Sequence, residues 1–443
     1  MKGMRELRYT RGQIIVEGEP VYLDQLEPKN SFPAYMYHLV VEHLEKSGEP
    51  YTENASQLLE TPRLKTTFQL RDYQSSALKY WNEAGSRGIV VLPTGSGKTV
   101  LAVKAIEEQQ CSTLVVVPTL VLVDQWRQVL QQAFNITIGA LGGGKEEIEP
   151  ITVSTYDSAR LRAHKLGNLF DFIVFDEVHH LTAPSNRRIA ERYLARKRLG
   201  LTATLQKAEA SLELLETLVG PKVFELGVTD LAGSHLADFT VKTIRLPLSA
   251  AEQYEYNKQY DIYRSYLKSR NLQIRSSRDY LNFVKRSGRD REARRALTAR
   301  NQAMDIALNS SSKIAYLKQL LKSNPDEKTL IFTSHNKLVY NLSKEMLIPA
   351  ITHQTPQEER EDILGRFHSG DYKRILTSRV LDEGVDVPDA SMAVILSGSG
   401  SNRQFVQRLG RILRKSPGKE AFLFELVSQG TAEVYMSYRR KRQ

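Results

Sequence analysis

The sequence predicts an α/β fold with two doubly wound parallel sheets, a small α/β unit ahead of them and a helical insertion in the second half. Three observations predict it. Short runs that are apolar on both faces, GIVVLP, TLVVVP, ITVST, FIVFDE and RLGLTAT, follow one another from about residue 64, mostly with helix-like segments between them. That is the pattern of strands covered on both faces. A second series, KTLIFTS, RILTS, MAVILSG and AFLFELV, begins near residue 328, and the stretch 251–310 between the two carries no strand signal and reads as helices. At 443 residues the chain calls for two or three domains.

In order along the chain, residues 1–60 read as an N-terminal α/β domain. RELRYTRGQIIVEGEPVYL alternates as a hairpin does, with its turn expected near Glu17–Pro20, and YMYHLVVEHLEKSG reads as a helix closed by Gly48. The stretch from about Asn54 to Arg63 looks like a linker. The first parallel-sheet domain is expected over 64–240 and the second over 241–443, with the insertion at about 251–310 inside it.

Apolar residues make up 41% of the chain and charged residues 26%, the balance of a soluble globular protein. No run approaches a membrane span, and MKGMRELRYT lacks a signal-peptide core. The single cysteine, Cys111, excludes an internal disulfide framework and fits a reducing compartment, so a cytoplasmic location is expected. The net charge of +11 is unevenly placed: residues 1–63 hold seven Lys and Arg against ten Asp and Glu, residues 251–310 hold 13 against seven. Clustered positive charge suits a polyphosphate partner, although charge alone equally describes a solvated helical face.

Three motifs carry chemistry. PTGSGKT follows the strand-like Ile89–Leu92 and precedes the helical VLAVKAIEEQ, the strand–loop–helix setting of a phosphate-binding loop, with Leu92 where the strict pattern has its first glycine. Thr94, Gly95, Ser96 and Gly97 form the turn, whose glycines let backbone N–H groups curl around phosphates at a helix N-terminus. Lys98 would contact the β- and γ-phosphates and the Thr99 hydroxyl would ligate Mg²⁺. In VFDEVHH, a buried strand delivers Asp176 and Glu177 at its C-terminal end, where carboxylates can face the phosphates. Asp176 would hold the metal and Glu177 would act as general base on the attacking water. In QRLGRILR, Arg411 and Arg414 are three apart, on one face of a helix, and would act as arginine fingers brought onto the triphosphate by domain closure, with Gln407 of the same motif a further catalytic candidate. The implied reaction is ATP hydrolysis used for movement.

In order and type these motifs resemble those of superfamily 2 helicases, over about residues 64–430. LRDYQ resembles the adenine-recognition motif, with Gln74 reading the base and Arg71 beside it. VVVPTLVLVDQW, STYDS, LTAT and IFTSHN resemble the next motifs, and the likeness sets Thr119, Thr155, Thr333 and Thr377 along a nucleic-acid strand. LDEGVDVPD resembles the motif whose Gly384 and Asp386 would sense nucleotide state. DEVHH, ITHQTPQEER and SGSGSNRQFVQRLGRILR resemble the XPB branch in its short archaeal form. The resemblance implies two RecA-like domains, an N-terminal damage-recognition-like domain and a basic helical thumb at 251–310. It also implies a DNA helicase or translocase of 3′-to-5′ polarity, using ATP and Mg²⁺ to open duplex, forked or single-stranded substrates in excision repair or transcription. A separate nuclease is the implied protein partner, and a monomer is expected.

The thumb stretch would contact DNA through Arg289, Arg291, Arg294 and Arg295. It also carries Tyr254, Tyr256, Tyr260, Tyr263, Tyr266, Tyr280 and Phe283, where near-helical spacing points to packing for at least half and stacking on bases for the rest. One departure stands out. XPB relatives carry Arg-Glu-Asp just after LTAT, whereas this chain reads LQKAEAS, with Lys207, Ala208 and Glu209 in those places. Strand separation is the role this puts in question, so the alternative is a DNA-stimulated ATPase that acts as a switch or scaffold for a partner nuclease. An RNA helicase or restriction-type motor subunit is the nearest other enzyme.

Overall fold

The computed structural model describes residues 5–23, 27–205, 209–227, 230, 238–333, 336–378, 390–397 and 420–441. They form two compact units that divide between residues 230 and 238.

The first unit begins with β1 (Arg5–Thr10), β2 (Gln13–Glu17), β3 (Ser31–Pro33), α1 (Tyr37–Ser47) and β4 (Tyr51–Asn54), the strands lying in the order β3-β2-β1-β4. Leu7, Ile14, Val16 and Phe32 from the sheet share a core with Val40 and Leu44 of α1. The hairpin turn is at Arg11–Gly12, with φ of 50° and 92° and Thr10 opposite Gln13, and not near Glu17–Pro20. A two-residue turn with positive φ at both positions matches strand twist, and Gly12 is the signal that alternation alone passes over. α1 stops where Gly48 takes φ 66° and its N–H closes on Leu44 O and Glu45 O.

The stretch expected as a linker is stapled down. Gln57 N donates to Asn168 O at 2.9 Å, Leu59 N to Leu169 O at 3.1 Å, and Asn168 Nδ2 to Ala55 O at 3.0 Å. An irregular segment must satisfy its amides somewhere, and here a neighbouring loop does so. Tyr9 adds a second tie, its hydroxyl lying 2.8 Å from Ala163 O and 2.9 Å from Arg192 O. Only glycine fits at 167, where a Cβ would stand 1.9 Å from that hydroxyl.

The same unit continues through α2 (Asp72–Glu83), β5 (Arg87–Val91), α3 (Lys98–Gln109), β6 (Thr113–Val117), α4 (Leu120–Phe134), β7 (Gly139–Gly142), β8 (Lys145–Glu147), β9 (Ile151–Thr155) and α5 (Tyr156–Leu166). It closes with β10 (Phe172–Asp176), α6 (Pro184–Arg192), β11 (Lys197–Thr202), α7 (Glu209–Leu218) and β12 (Lys222–Glu225). The sheet runs β12-β5-β11-β10-β6-β9-β7-β8, parallel throughout except at the β7–β8 hairpin. All five apolar runs of the first series are strands of it. Arg198 of β11 is fully buried and donates to Ala190 O (2.7 Å), Tyr193 O (2.7 Å), Ala195 O (3.1 Å) and Leu218 O (2.5 Å).

The second unit comprises β13 (Asp238–Leu246), α8 (Ala250–Ser269), α9 (Ser277–Ser287), α10 (Arg291–Leu308), α11 (Ser311–Ser323), β14 (Thr329–Phe332), α12 (Asn336–Met346) and β15 (Ala350–Ile351). α13 (Gln357–Ser369), β16 (Arg374–Thr377), β17 (Met392–Ile395), β18 (Glu420–Ser428) and α14 (Glu433–Lys441) follow. Its sheet, β13-β18-β17-β14-β16-β15, is parallel at every pairing. The insertion is the helices α8 to α10, begun by side-chain caps at Ser249, Ser276 and Asp290. Tyr256, Tyr263, Tyr266 and Phe283 are buried among them, so four of its seven aromatics serve packing.

Between α11 and α14 the second unit buries an ion pair. Lys313 Nζ meets both carboxylate oxygens of Glu433 at 2.6 and 2.7 Å and Leu396 O at 3.0 Å. Glu433 also accepts from Ser428 N at 2.8 Å. Lys313→Met leaves that carboxylate buried with its cation gone and should cost about 3–5 kcal/mol, whereas adding Glu433→Leu should restore most of the loss. Urea unfolding of the single and double variants measures both, and a double variant as unstable as the single would refute this account.

Candidate functional site

The phosphate-binding loop lies between β5 and α3. Gly95 and Gly97 take φ of 83° and 80°, a region side chains disfavour, and Gly97 is the N-cap of α3. Ser96 is buried with its hydroxyl on Pro93 O at 2.7 Å, and Lys98 Nζ donates to Leu92 O at 3.1 Å. α2 forms the rear wall. Gln74 Nε2 donates to Ser96 O (2.9 Å) and Gly97 O (3.1 Å) while its Oε1 accepts from Arg71 N (2.8 Å). Tyr73 donates to Ser96 O at 2.6 Å and receives Arg71 Nη1 at 3.2 Å. Gln74 is buried, so the residue expected to read a base has both ends of its amide on protein, and its visible work is to hold the loop. A Cβ at Gly97 would stand 2.5 Å from Gln74 Nε2, which ties the glycine to the glutamine.

Asp176 ends β10 and is buried. Its Oδ2 accepts from Trp126 Nε1 at 3.0 Å and its Oδ1 from Glu177 N at 3.1 Å. Burial first, then the Glu177 charge, push its pKa up to about 6, against Lys98 and the Trp126 bond, which pull it down. A carboxyl held in this way gains from a dication, and Thr99 stands at the start of α3 to share it. Among the described residues no group of three or more His, Cys, Asp and Glu forms a metal cage. Magnesium takes one or two protein oxygens and completes its shell with phosphate and water, a demand that Asp176 and Thr99 can meet. The residues present therefore fit ATP with Mg²⁺.

Glu177 sits at φ 51°, a left-handed conformation that costs a non-glycine residue on the order of 1 kcal/mol and turns the chain sharply off the strand. The Thr202 hydroxyl, at the end of β11, lies 3.2 Å from Glu177 Oε2 and 2.9 Å from Thr204 O. His179 Nδ1 lies 3.1 Å from the same hydroxyl and 3.4 Å from Glu177 Oε2. Tyr156 donates to Asp176 O at 2.9 Å. Tyr73, Trp126, Tyr156, His179 and Thr202 were not foreseen as site residues. The readable signal was Trp126 and Tyr156, since a buried indole N–H or phenol needs a partner.

The four threonines behave in two ways. Thr119 caps α4 by accepting from Leu122 N (3.3 Å) and Thr155 caps α5 by accepting from Ser158 N (3.1 Å). A Cβ at Gly142 would meet Leu120 and Thr155 at 2.9 and 3.2 Å, so both helix starts adjoin one glycine turn. Thr333 and Thr377, in contrast, are fully buried: Thr333 Oγ1 is 2.8 Å from Ser397 Oγ, and Thr377 donates to Ser378 O at 3.0 Å. Their hydroxyls are engaged at the ends of β14 and β16. Arg291, Arg294 and Arg295 line one cavity of about 450 Å³ with Gln259 and Gln302, whereas Arg289 is exposed in the turn before α10. Arg294 also donates to Ser287 O and Gly288 O. Gly384, Asp386, Gln407, Arg411 and Arg414 lie outside the described residues, as do Lys207 and Ala208. No described helix is long and apolar enough to cross a membrane.

The chain matches the family model "Type III restriction enzyme, res subunit" over residues 67–207 and "ERCC3/RAD25/XPB C-terminal helicase" over residues 295–443. It is 40% identical over 438 residues to a DNA 3′-5′ translocase XPB2 of Sulfurisphaera tokodaii, covering 98% of this chain and 99% of that one. It is 30% identical over 390 residues to a DNA 3′-5′ helicase XPB of Mycobacterium tuberculosis, covering 85% of this chain and 63% of that one. Among solved structures the Hef helicase domain of Pyrococcus furiosus is similar in fold, with a TM-score of 0.55, 19% identity and coverage of 84% and 98%.

A magnesium ion held by Asp176 would compete with a proton for it. Affinity for Mg²⁺ with ATP should be level above the raised carboxyl pKa and fall about tenfold per pH unit below it. Trp126→Phe removes a bond that favours the ionised form and should move the break to higher pH, as nucleotide titrations across the acid range will measure. Lys98→Ala should reduce hydrolysis to background, and normal turnover in that variant would end the assignment of the loop.

Proposed function

Because the chain belongs to the XPB family of DNA helicases and translocases, we propose that it is an ATP-driven DNA motor of 3′-to-5′ polarity that opens or remodels duplex DNA. One observation carries the reading: β5 and β10, which bear the loop and the acidic pair, flank β11, whose Thr202 hydroxyl reaches Glu177. ATP supplies the phosphoanhydride bond whose hydrolysis drives movement. Thr94 to Thr99 would hold its phosphates through backbone N–H groups and Lys98, while Thr99 and Asp176 would hold magnesium. Glu177 is the group that takes the proton of the attacking water, with Thr202 and His179 fixing its carboxylate. Arg411 and Arg414, with Gln407, are assigned to neutralise charge developing on the phosphoryl group, and Gly384 and Asp386 to report nucleotide state.

On the nucleic-acid side, the starts of α4 and α5 offer backbone N–H groups to phosphates, and Arg289, Arg291, Arg294 and Arg295 add charge without sequence preference. Work in excision repair or transcription beside a separate nuclease follows as part of the same reading. ATP turnover measured with duplex DNA, single-stranded DNA and RNA tests it. Stimulation by DNA well above that by RNA is expected, and equal stimulation by RNA would sink the DNA assignment.

The residues Lys207, Ala208 and Glu209, where XPB relatives carry Arg-Glu-Asp, favour a second reading in which hydrolysis is sound and strand separation weak. Hydrolysis and strand displacement followed together on forked DNA should show turnover with little displacement. Displacement as fast as turnover allows would remove this second reading.

A further inference from the structure

The second unit holds a cavity of about 450 Å³ that the nucleotide and thumb-arginine sites do not use. It lies between α8 and the turn that joins β18 to α14, and is lined by Arg245, Tyr256, Tyr260, Arg264, Gly430 and Tyr435 among others. Its walls are rigid. Tyr256 accepts from Ala432 N at 2.8 Å, its ring lies 5.4 Å from that of Tyr260 at 16°, and Gln429 N donates to Leu246 O at 2.8 Å. Its charged lining is Arg245, Arg264 and the carboxylate of Asp261. Arg245 donates to the Tyr438 hydroxyl at 2.7 Å and lies 5.8 Å from the centre of that ring. Tyr435 is 76% exposed and Tyr438 53%, three apart on α14.

The position is as informative as the lining. Every strand of this sheet is parallel, so the ends Leu246 and Ser428 share one edge with Phe332 and Thr377. Ligands of open parallel sheets bind beyond that edge. With three strand steps from β13 to β14, the cavity lies roughly 14 Å along it from Thr333. Arg245 and Arg264 outnumber the one carboxylate of the lining, Asp261, and the exposed Tyr435 ring offers a flat face, which together suit an anion that carries an aromatic group. The volume suits one small ligand of nucleotide size, whereas a duplex is far too wide to enter.

We propose that this cavity receives an unpaired nucleotide of a DNA strand, with the base stacked on Tyr435 and its phosphates met by Arg245 and Arg264. The assignment rests on the DNA-motor reading and adds to it a place where the single strand is held apart from the duplex. A mononucleotide offers the same chemistry, so the probes must separate the two sources.

The test uses the full chain with Tyr435→Ala, Tyr435→Phe and Arg264→Ala, each checked for unchanged thermal unfolding. The probes are a fluorescent oligo-dT, a blunt duplex and free dTMP. Tyr435→Ala should weaken oligo-dT binding about tenfold, the effect of one lost base stack, with Tyr435→Phe close to wild type. Arg264→Ala should lower the salt slope of oligo-dT binding by about 0.7. Duplex affinity and hydrolysis without DNA should not change. Unchanged oligo-dT binding in Tyr435→Ala, an equal loss on the duplex, or competition by dTMP as effective as oligo-dT itself would each overturn the proposal. Duplex-stimulated hydrolysis that persists through such a failure leaves the motor reading standing; its absence in the wild-type chain would remove that reading itself.

Discussion

The first unit depends on β11 lying between β5 and β10. The loop that would hold phosphates and the acidic pair that would hold the metal are far apart in sequence, and only this strand order makes them neighbours across one intervening strand. β11 is built for that place at three points. At its start, Arg198 gives its guanidinium to carbonyls at the ends of α6 and α7, groups that an α-helix leaves unpaired. In its middle, Gly200 admits Val178 and Ile89, since a Cβ there would meet them at 2.9 and 3.1 Å. At its end, Thr202 joins Glu177 and His179. Moving the strand by one residue would turn all three to the wrong face.

Around that strand the site is held from behind by side chains that would touch no substrate. Gln74 and Tyr73 fix Ser96 and Gly97, and Trp126 and Tyr156 fix the two ends of Asp176. Phosphoryl transfer asks little covalent chemistry of a protein and much positioning, so rigid donors set in advance are worth more than additional reactive groups. The strained Glu177 backbone fits the same logic, because neighbours on three sides overdetermine it.

Much of this was legible in the sequence. Both series of apolar runs became parallel strands, because buried strands must be apolar on both faces and few other segments are. The misreadings share one cause, that a side chain's partner is not written beside it. The Arg11–Gly12 turn was hidden by the stronger Glu17–Pro20 signal, and Asn54–Arg63 looked loose because Asn168 and Leu169, which tie it down, lie far along the chain. β13 escaped because DFTVKTIRL alternates instead of running apolar, as suits an edge strand. The burial of Thr333 and Thr377 was hidden in the same way, because Ser397, which meets Thr333, lies 64 residues on.

Among the described residues each unit holds a completely buried cation, Arg198 in the first and Lys313 in the second, and the choice of side chain follows from what must be held. Arg198 meets four neutral carbonyls from separate directions, which a fork with five donors can satisfy and an ammonium with three cannot. Desolvation lowers its pKa with no carboxylate to offset it, so the site is kept by geometry and not by charge pairing. Lys313 faces a compact target, one carboxylate and one carbonyl, for which a point charge with three donors is enough. That carbonyl is Leu396 O, directly after β17, and QRLGRILR follows within the next eighteen residues of sequence. The end of β17 is therefore held from two sides, by Lys313 on its carbonyl and by Phe332 O on its N–H, so the buried ion pair and the sheet share one anchor point.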